Sequence, residues 1–464
     1  MAKTRTRNAR LAETLGAAGW SYSQLAAAFV RVALENNAPE FRAVSRAHIG
    51  TWVGGTIPSG KGPVLLAETL GRRLGRTVTL AEIGLSPAGS EGEVGVVWDT
   101  DTLLTLADLG RHEVRIERRQ VLGATAYQLA LLTLPPADWW TRMANRPQPE
   151  RSGTGPLVGR GDIDAVREMS VLFSQLDQRR GGGHGRTVVH HYLTTEVAHY
   201  LHGRFTDMTL RRSMFSAASE LAYVGGWMSF DAGEHGEAQR YFASAVKLAA
   251  EADDAPLTGH ILRAMAHQAN DLGHHRLALK VATASIEGDR YRLAGHRERA
   301  LLGVVHARTL ASTGDTGRAA QALLRAEDEL SRASDGEETP ARVAFFAEAA
   351  LAHETAATLR DSNDLEGATT AFQRSVRTRD KNLYPRTHAV TLGYLGAIQA
   401  QQGAIEQACA TWDQALDLMD GIRSGRTVQA VQQMRTALSP FRQRGVQAVA
   451  HIEARATAYL AHAG

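Results

Sequence analysis

The chain has 464 residues, with 44% hydrophobic and only 6% aromatic residues, and a formal net charge of +3. Such a length exceeds one ordinary domain and divides into two to four at roughly 100–200 residues each. No apolar run of about 18 residues or more occurs, so no membrane span is expected. The basic start MAKTRTRNAR lacks a following apolar segment, so no secretory signal is expected either. The single cysteine, Cys409, excludes an internal disulfide framework and reads as a small core residue in a reducing cytoplasm. Abundant alanine with few aromatics points to closely packed helices.

The charge is unevenly spread. Residues 1–85 hold eleven Lys/Arg against five Asp/Glu, a local +6 that leaves −3 for the remainder. Positive charge gathered in the first fifth is the footprint of a segment that meets phosphates.

Within that segment, Leu11, Leu15 and Ala18 follow helical spacing, and Gly19 closes the helix. Ser21 or Ser23 caps a second helix whose Leu25, Ala26, Phe29 and Val30 share one face. An extended stretch around Pro39 leads to Ser45, the N-cap of a short helix RAHIGTWVGG that Gly54-Gly55 ends. A fourth helix, PVLLAETLGRRLG, opens with Pro63 in its first turn. Residues 55–61, GTIPSGK, match the start of a phosphate-binding loop. Gly62 stands where its Ser or Thr is required and no strand precedes, so a loop between helices is the better reading.

Gly19-x-Ser21-x-x-x-Leu25-Ala26, followed by Ser45-x-x-x-Ile49-x-x-Trp52-x-x-Gly55-x-x-Pro58, resembles the phage-repressor (Xre/Cro-like) helix-turn-helix family. The stretch Leu70–Leu85 resembles an actinobacterial branch of it. About a dozen extra residues, 31–44, separate the second and third helices and depart from the compact pattern. The resemblance implies that the helix after Ser45 enters the major groove of double-stranded DNA. Arg46 is then the leading candidate for a base edge, with Ser45, His48 and Thr51 beside it. Lys61, Arg72 and Arg73 suit phosphate contacts, whereas Ile49 and Trp52 are expected to pack inward.

The linker SPAGSEGEVG follows. Residues 100–134 read as two amphipathic helices, DTLLTLADLGR and RRQVLGATAYQLALLTL, ended by Pro135-Pro136. Past a Pro/Gly/Arg-rich boundary at 145–161, a patterned helix precedes the loop RRGGGHGR, read as a flexible connection rather than a phosphate cradle, and a helix to about His202. His191, His199 and His202 share a helical face but lack an acidic partner, and read as surface or packed histidines rather than a metal site. Residues 166–203 also resemble the central region of the same regulators.

The C-terminal half repeats itself. Five stretches share small, turn, Ala, bulky and small positions: Gly226-Gly233-Ala238-Phe242-Ala245, Ala266-Gly273-Ala278-Ala282-Ser285, Ala307-Gly314-Ala319-Leu323-Ala326, Ala356-Asn363-Ala368-Phe372-Ser375 and Gly396-Gly403-Ala408-Trp412-Ala415. Small residues let two helices approach, the Gly or Asn takes a left-handed turn, and the bulky residue plugs the next repeat. The pattern resembles the tetratricopeptide repeat with a period nearer 40 residues. Groove candidates on the first helices are Trp227, His267, Asn270, His306 and Arg308, and the helices over 427–460 cap the array or dimerise it.

The expected architecture is all-α. It comprises a helix-turn-helix domain (1–85), a linker with a helical hairpin (86–160), a helical connector (161–215) and an α-solenoid (216–464). The expected function is a cytoplasmic, nucleoid-associated, homodimeric transcription regulator whose solenoid senses a peptide, small molecule or protein. The alternative is an adaptor scaffold that does not bind DNA. No catalytic motif, metal site or cofactor motif emerges.

Overall fold

The computed structural model describes residues 7–85, 98–109, 126–146, 155–333, 339–442 and 446–462. These are overwhelmingly helical. Among the described residues the only strand pairing joins Leu157–Val158 to Arg204–Phe205, so the all-α class holds.

The first domain contains α1 (Ala9–Ala18), α2 (Tyr22–Glu35), α3 (Arg46–Val53) and α4 (Gly62–Leu74). Gly19 closes α1 at φ 63°. Ser21 caps α2 by accepting from the Gln24 amide, while the Gln24 side chain accepts from the Ser21 amide at 2.9 Å. The extra residues 31–44 do not form a loose loop. Residues 31–35 lengthen α2, and the rest folds into a turn whose Phe41 packs edge-on against Phe29, 5.4 Å between centroids. Trp52 meets the same Phe29 at 5.1 Å, so the insertion extends the core of Leu11, Leu25, Ile49, Leu66 and Leu70.

The connector departs from the sequence reading. A helical turn covers 102–109, but 126–128 are extended and Leu129–Leu132 is a single 3-10 turn, where a helix running to Leu134 was expected. Residues 118–125 of that expected helix lie outside the described residues. The cause is competition for the backbone. The amide of Tyr127 donates to Asn36 Oδ1, and both peptide groups of Gln128 bond the Gln239 side chain at 2.7 and 2.8 Å. Next come α5 (Ala137–Ala144), α6 (Arg160–Arg180) and α7 (Arg186–Tyr192), which continues through a π-turn to Leu201.

The glycine loop between α6 and α7 is a packed seam. Gly181 and Gly182 are buried, the Gly182 amide donates to Asp231 Oδ2 at 2.8 Å, and the Gly183 amide donates to the Arg423 carbonyl at 3.0 Å. A Cβ on Gly182 would strike the Met228 carbonyl. Neither a flexible connection nor a phosphate cradle fits amides already spent on protein partners.

From Met208 onward helices pair into hairpins: α8 (Met208–Asp231) with α9 (His235–Glu251), α10 (Ala255–Asp271) with α11 (His275–Ser285), and α12 (His296–Ser312) with α13 (Thr316–Arg332). They are followed by α14 (Glu348–Asp361) with α15 (Leu365–Thr378), α16 (Pro385–Gln401) with α17 (Ile405–Leu418), and α18 (Gly425–Leu438) with α19 (Gln447–His462). The five repeat turns are left-handed at Gly233, Gly273, Gly314, Asn363 and Gly403, with φ between 64° and 89°. In each, the next amide bonds the carbonyl five residues back, as His274 does with Ala269. All repeat positions that the spacing assigns to the helix interface are buried. Cys409 lies there too, as a small core residue. The stack curls so that α6 lies along its inner side, against both α8 and α16.

Close approach is the rule at the small positions: a Cβ on Gly396 would penetrate the fully buried Trp412 indole. Gly396→Ala should therefore cost about 1–3 kcal/mol, read as a lower urea midpoint of the solenoid transition. Gly161→Ala, where an added Cβ meets open space, should leave the midpoint unchanged or slightly raised.

Candidate functional site

Two surfaces and the junction between them hold the unusual side chains. The first is the outer face of α3. Ile49, Trp52 and Val53 point into the domain, whereas Ser45, Arg46, Ala47, His48 and Thr51 are exposed. A helix this short needs its cap. The His48 ring folds back so that Nδ1 accepts from the Ser45 amide at 3.2 Å, with Ser45 Oγ at 3.0 Å. Thr51 Oγ1 turns back to the His48 carbonyl at 2.7 Å. Arg46 is the one long cation on this face, and no ion pair holds it among the described residues. Arg73 is exposed nearby, its Nε donating to the Ala18 carbonyl with the guanidinium 5.5 Å from the Trp20 ring.

Arg72 does something other than what its charge suggested. It donates twice to Glu35 and once to Glu68, all at 2.7 Å, and to the Tyr127 carbonyl at 3.2 Å. A guanidinium so committed is not offered to a phosphate. Instead it closes a junction between the first domain and the solenoid. The Glu35 carboxylate also meets His274 Nε2 at 3.0 Å, in the turn of the second hairpin. The fully buried Tyr127 stacks on that imidazole, 5.8 Å apart and 12° from parallel. Lys61 reaches Glu234 in the turn of the first hairpin at 3.4 Å. One edge of the solenoid thus grips the domain through consecutive repeat turns.

Burial pushes the Glu35 carboxyl up, but Arg72 and His274 outweigh it and hold the carboxyl below its usual value. Burial prevails at Glu68, which is raised despite Arg72. Since Glu35 is more acidic folded than unfolded, its contribution is present at neutral pH. That contribution is lost as pH falls through the lowered folded value.

The second surface lines the inside of the curl. Between α6 and the first helices of the hairpins lies a cavity of about 370 Å³. Of the sequence candidates, Trp227 and His267 line it. Asn270, His306 and Arg308 do not. Asn270 Oδ1 sits 3.0 Å from His275 Nδ1, His306 Nε2 lies 3.5 Å from Thr283, and Arg308 pairs with Asp271 and Asp361 at 2.8 and 3.3 Å. The remaining lining includes Tyr223, Arg263, His353, Glu354, Arg379 and Arg426, with Asp177 from α6. Six arginines and three acidic residues face this space. Sequence reasoning missed Arg263 and His353. They occupy the position three residues before each repeat's small residue, so aligning the repeats at that position would have exposed the polar departures.

These features define a class: an all-helical protein in which a small four-helix domain is docked onto the turn edge of a stack of helix hairpins. Residues 11–86 match the model of a family described as the SP15 N-terminal domain, a stretch that spans α1 to α4 and the segment just after them. None of the curated proteins matches the chain.

Arg72→Met should leave the half-buried Glu68 carboxylate without its cation and Glu35 with His274 alone, and cost about 1–3 kcal/mol in the stability of the first domain, measured by denaturant titration. Glu35→Gln should flatten the loss of stability below the usual carboxylate range in an acid titration. An unchanged acid limb in that variant would assign the titration to other groups.

Proposed function

We propose that the protein is a sequence-specific, DNA-binding transcription regulator whose first domain reads the major groove as a homodimer of Xre/Cro-like helix-turn-helix units. The solenoid, of tetratricopeptide-like construction, is its signal receiver. The observation that carries the reading is the division of α3. Its apolar residues are spent on the core, while Arg46, with Ala47 and Thr51 on the same exposed face, lies on a helix capped by Ser45 and His48. A guanidinium there suits guanine O6 and N7, and a methyl suits thymine. Arg31, Arg42 and Arg73, also exposed, suit the flanking phosphates.

The junction supports the receiver half. Hairpins α8–α9 and α10–α11 present Trp227, Arg263 and His267 to the cavity, while their turns present Glu234 and His274 to the first domain. A ligand that prefers one spacing of these hairpins would shift the domain they hold, which is the requirement for coupling. A symmetric dimer reading one face of DNA requires its two recognition helices about 34 Å apart or a multiple of that.

Fluorescence anisotropy with fragments of the promoter of its own gene, titrated with salt, tests the reading. Arg46→Ala should lose about 1–3 kcal/mol on the preferred fragment and relax preference at one base position. Arg73→Ala should weaken all fragments alike and flatten the salt dependence. Binding that ignores both sequence and salt, with Arg46→Ala indistinguishable from wild type, contradicts the proposal and favours an adaptor scaffold.

A further inference from the structure

We infer that the cavity inside the curl binds a small organic anion, a carboxylate or phosphate carried on a flat unsaturated body. The inference gives the signal of the proposed regulator a chemical class and rests on that reading for its role. Binding itself is measured without DNA.

Charge sets the sign of the ligand. Among the lining arginines, Arg342 is neutralised by Glu298 and Glu220, and Arg386 by Asp177 and Asp231. Arg263 and Arg379 have no carboxylate within ion-pair distance among the described residues. Arg263 spends itself on the Tyr223 hydroxyl at 2.9 Å and on the neutral side of His260 at 3.1 Å, the latter pushed down to about 3 by burial and by Arg263. Arg379 has only the Ala349 carbonyl and Ser375 Oγ, at 2.9 and 3.2 Å. Arg426 is different: it bonds Tyr394 and lies in the field of Asp271 and Asp231, which stabilise its charge. A buried cation without a counter-charge is costly, and an arriving anion removes that cost.

The orphaned atoms agree. Arg263 Nε, Arg379 Nε and Glu354 Oε2 are buried polar atoms without a hydrogen-bond partner among the described residues, and all belong to residues lining this cavity, whereas His267 Nε2 lies 3.4 Å from Asp271 Oδ2. Arg263, His267 and Arg379 are each more than nine-tenths buried, at 2%, 4% and 9% exposure. Buried polar atoms are paired as a rule, so a cluster of exceptions around one cavity points to a partner from outside the chain.

Size and surface set the body. A volume of about 370 Å³ lies at the small-molecule end of ligand sites. The groove that an extended peptide or helix would follow along a solenoid is already filled by α6. Trp227 and Tyr223 form an aromatic wall, with Arg263 lying 5.5 Å from the Trp227 ring centroid. That wall takes a planar apolar face, and Glu354 offers an acceptor for one donor on it.

Isothermal titration calorimetry of the full chain with naphthalene-2-carboxylate, 2-naphthyl phosphate, neutral 2-naphthamide and a carboxylate-ended hexapeptide tests this. The carboxylate or the phosphate should bind saturably, at least roughly tenfold tighter than the amide, because a charged hydrogen bond to buried arginine is at stake. Whichever anion binds more tightly identifies the acidic group. Arg263→Gln and Arg379→Gln should each weaken that binding roughly tenfold or more, whereas Arg318→Gln, exposed and outside the cavity, should not. Should the arginine variants fail to fold, the wild-type contrast of amide and carboxylate still decides. Equal affinity for amide and acid, no saturable binding of either anion, or tighter binding of the hexapeptide overturns the inference. Loss of anion binding leaves the DNA reading intact, and loss of DNA binding leaves the cavity result intact.

Discussion

The placement of the first domain against the solenoid depends on one half-buried cation. Arg72 in α4 is surrounded by Glu35 from the end of α2, Glu68 one turn earlier and the carbonyl of Tyr127. None of these groups can be withdrawn alone without leaving a charge or a polar atom in the interior, where it is costly. The requirement that Arg72 be satisfied therefore fixes the end of α2, the rotation of α4 and the path of 126–129 together. Because Glu35 is shared with His274, it fixes the first domain against the second hairpin turn as well.

A parallel device holds the inside of the curl. Arg386 joins Asp231 at the end of α8 to Asp177 on α6, and Asp231 also accepts from the Gly182 amide and from Ser424 Oγ. The glycines after α6 are needed because this seam leaves no room for a side chain. The first device acts on the turn of α10–α11 through His274, and the second on the end of α8 through Asp231. The turns of α8–α9 and α10–α11 carry the first domain and their inner helices carry the aromatic and cationic wall of the cavity.

The repeat array was legible in the sequence because its determinants are local. A small residue, a left-handed turn residue seven later and an alanine five beyond that must recur wherever two helices close tightly, and the structure places all of them as the spacing required. The first-domain helices were legible for the same reason, through Gly19, Ser21, Ser45 and Pro63. What failed were inferences that needed a distant partner. Arg72 looked like a phosphate contact because Glu68 one turn earlier leaves most of a guanidinium free, and nothing nearby shows that the distant Glu35 converges on it. Residues 126–134 looked helical because propensity cannot reveal that Asn36 and Gln239 claim their peptide groups. The cavity was half legible. Trp227 and His267 were reached from the repeat register, whereas Arg379, Arg426 and the wall formed by α6 come together only through the curl of the stack.

The most direct test of this architecture is hydrogen exchange on the intact chain, wild type against Tyr127→Ala. Loss of the ring that stacks on His274 should raise exchange together at residues 33–38, at 68–74 and in the hairpin turn at 270–275, while sparing the far hairpins over 385–438. A rise confined to 126–132, with the other segments unchanged, would show that the first domain is not held to the solenoid through this junction.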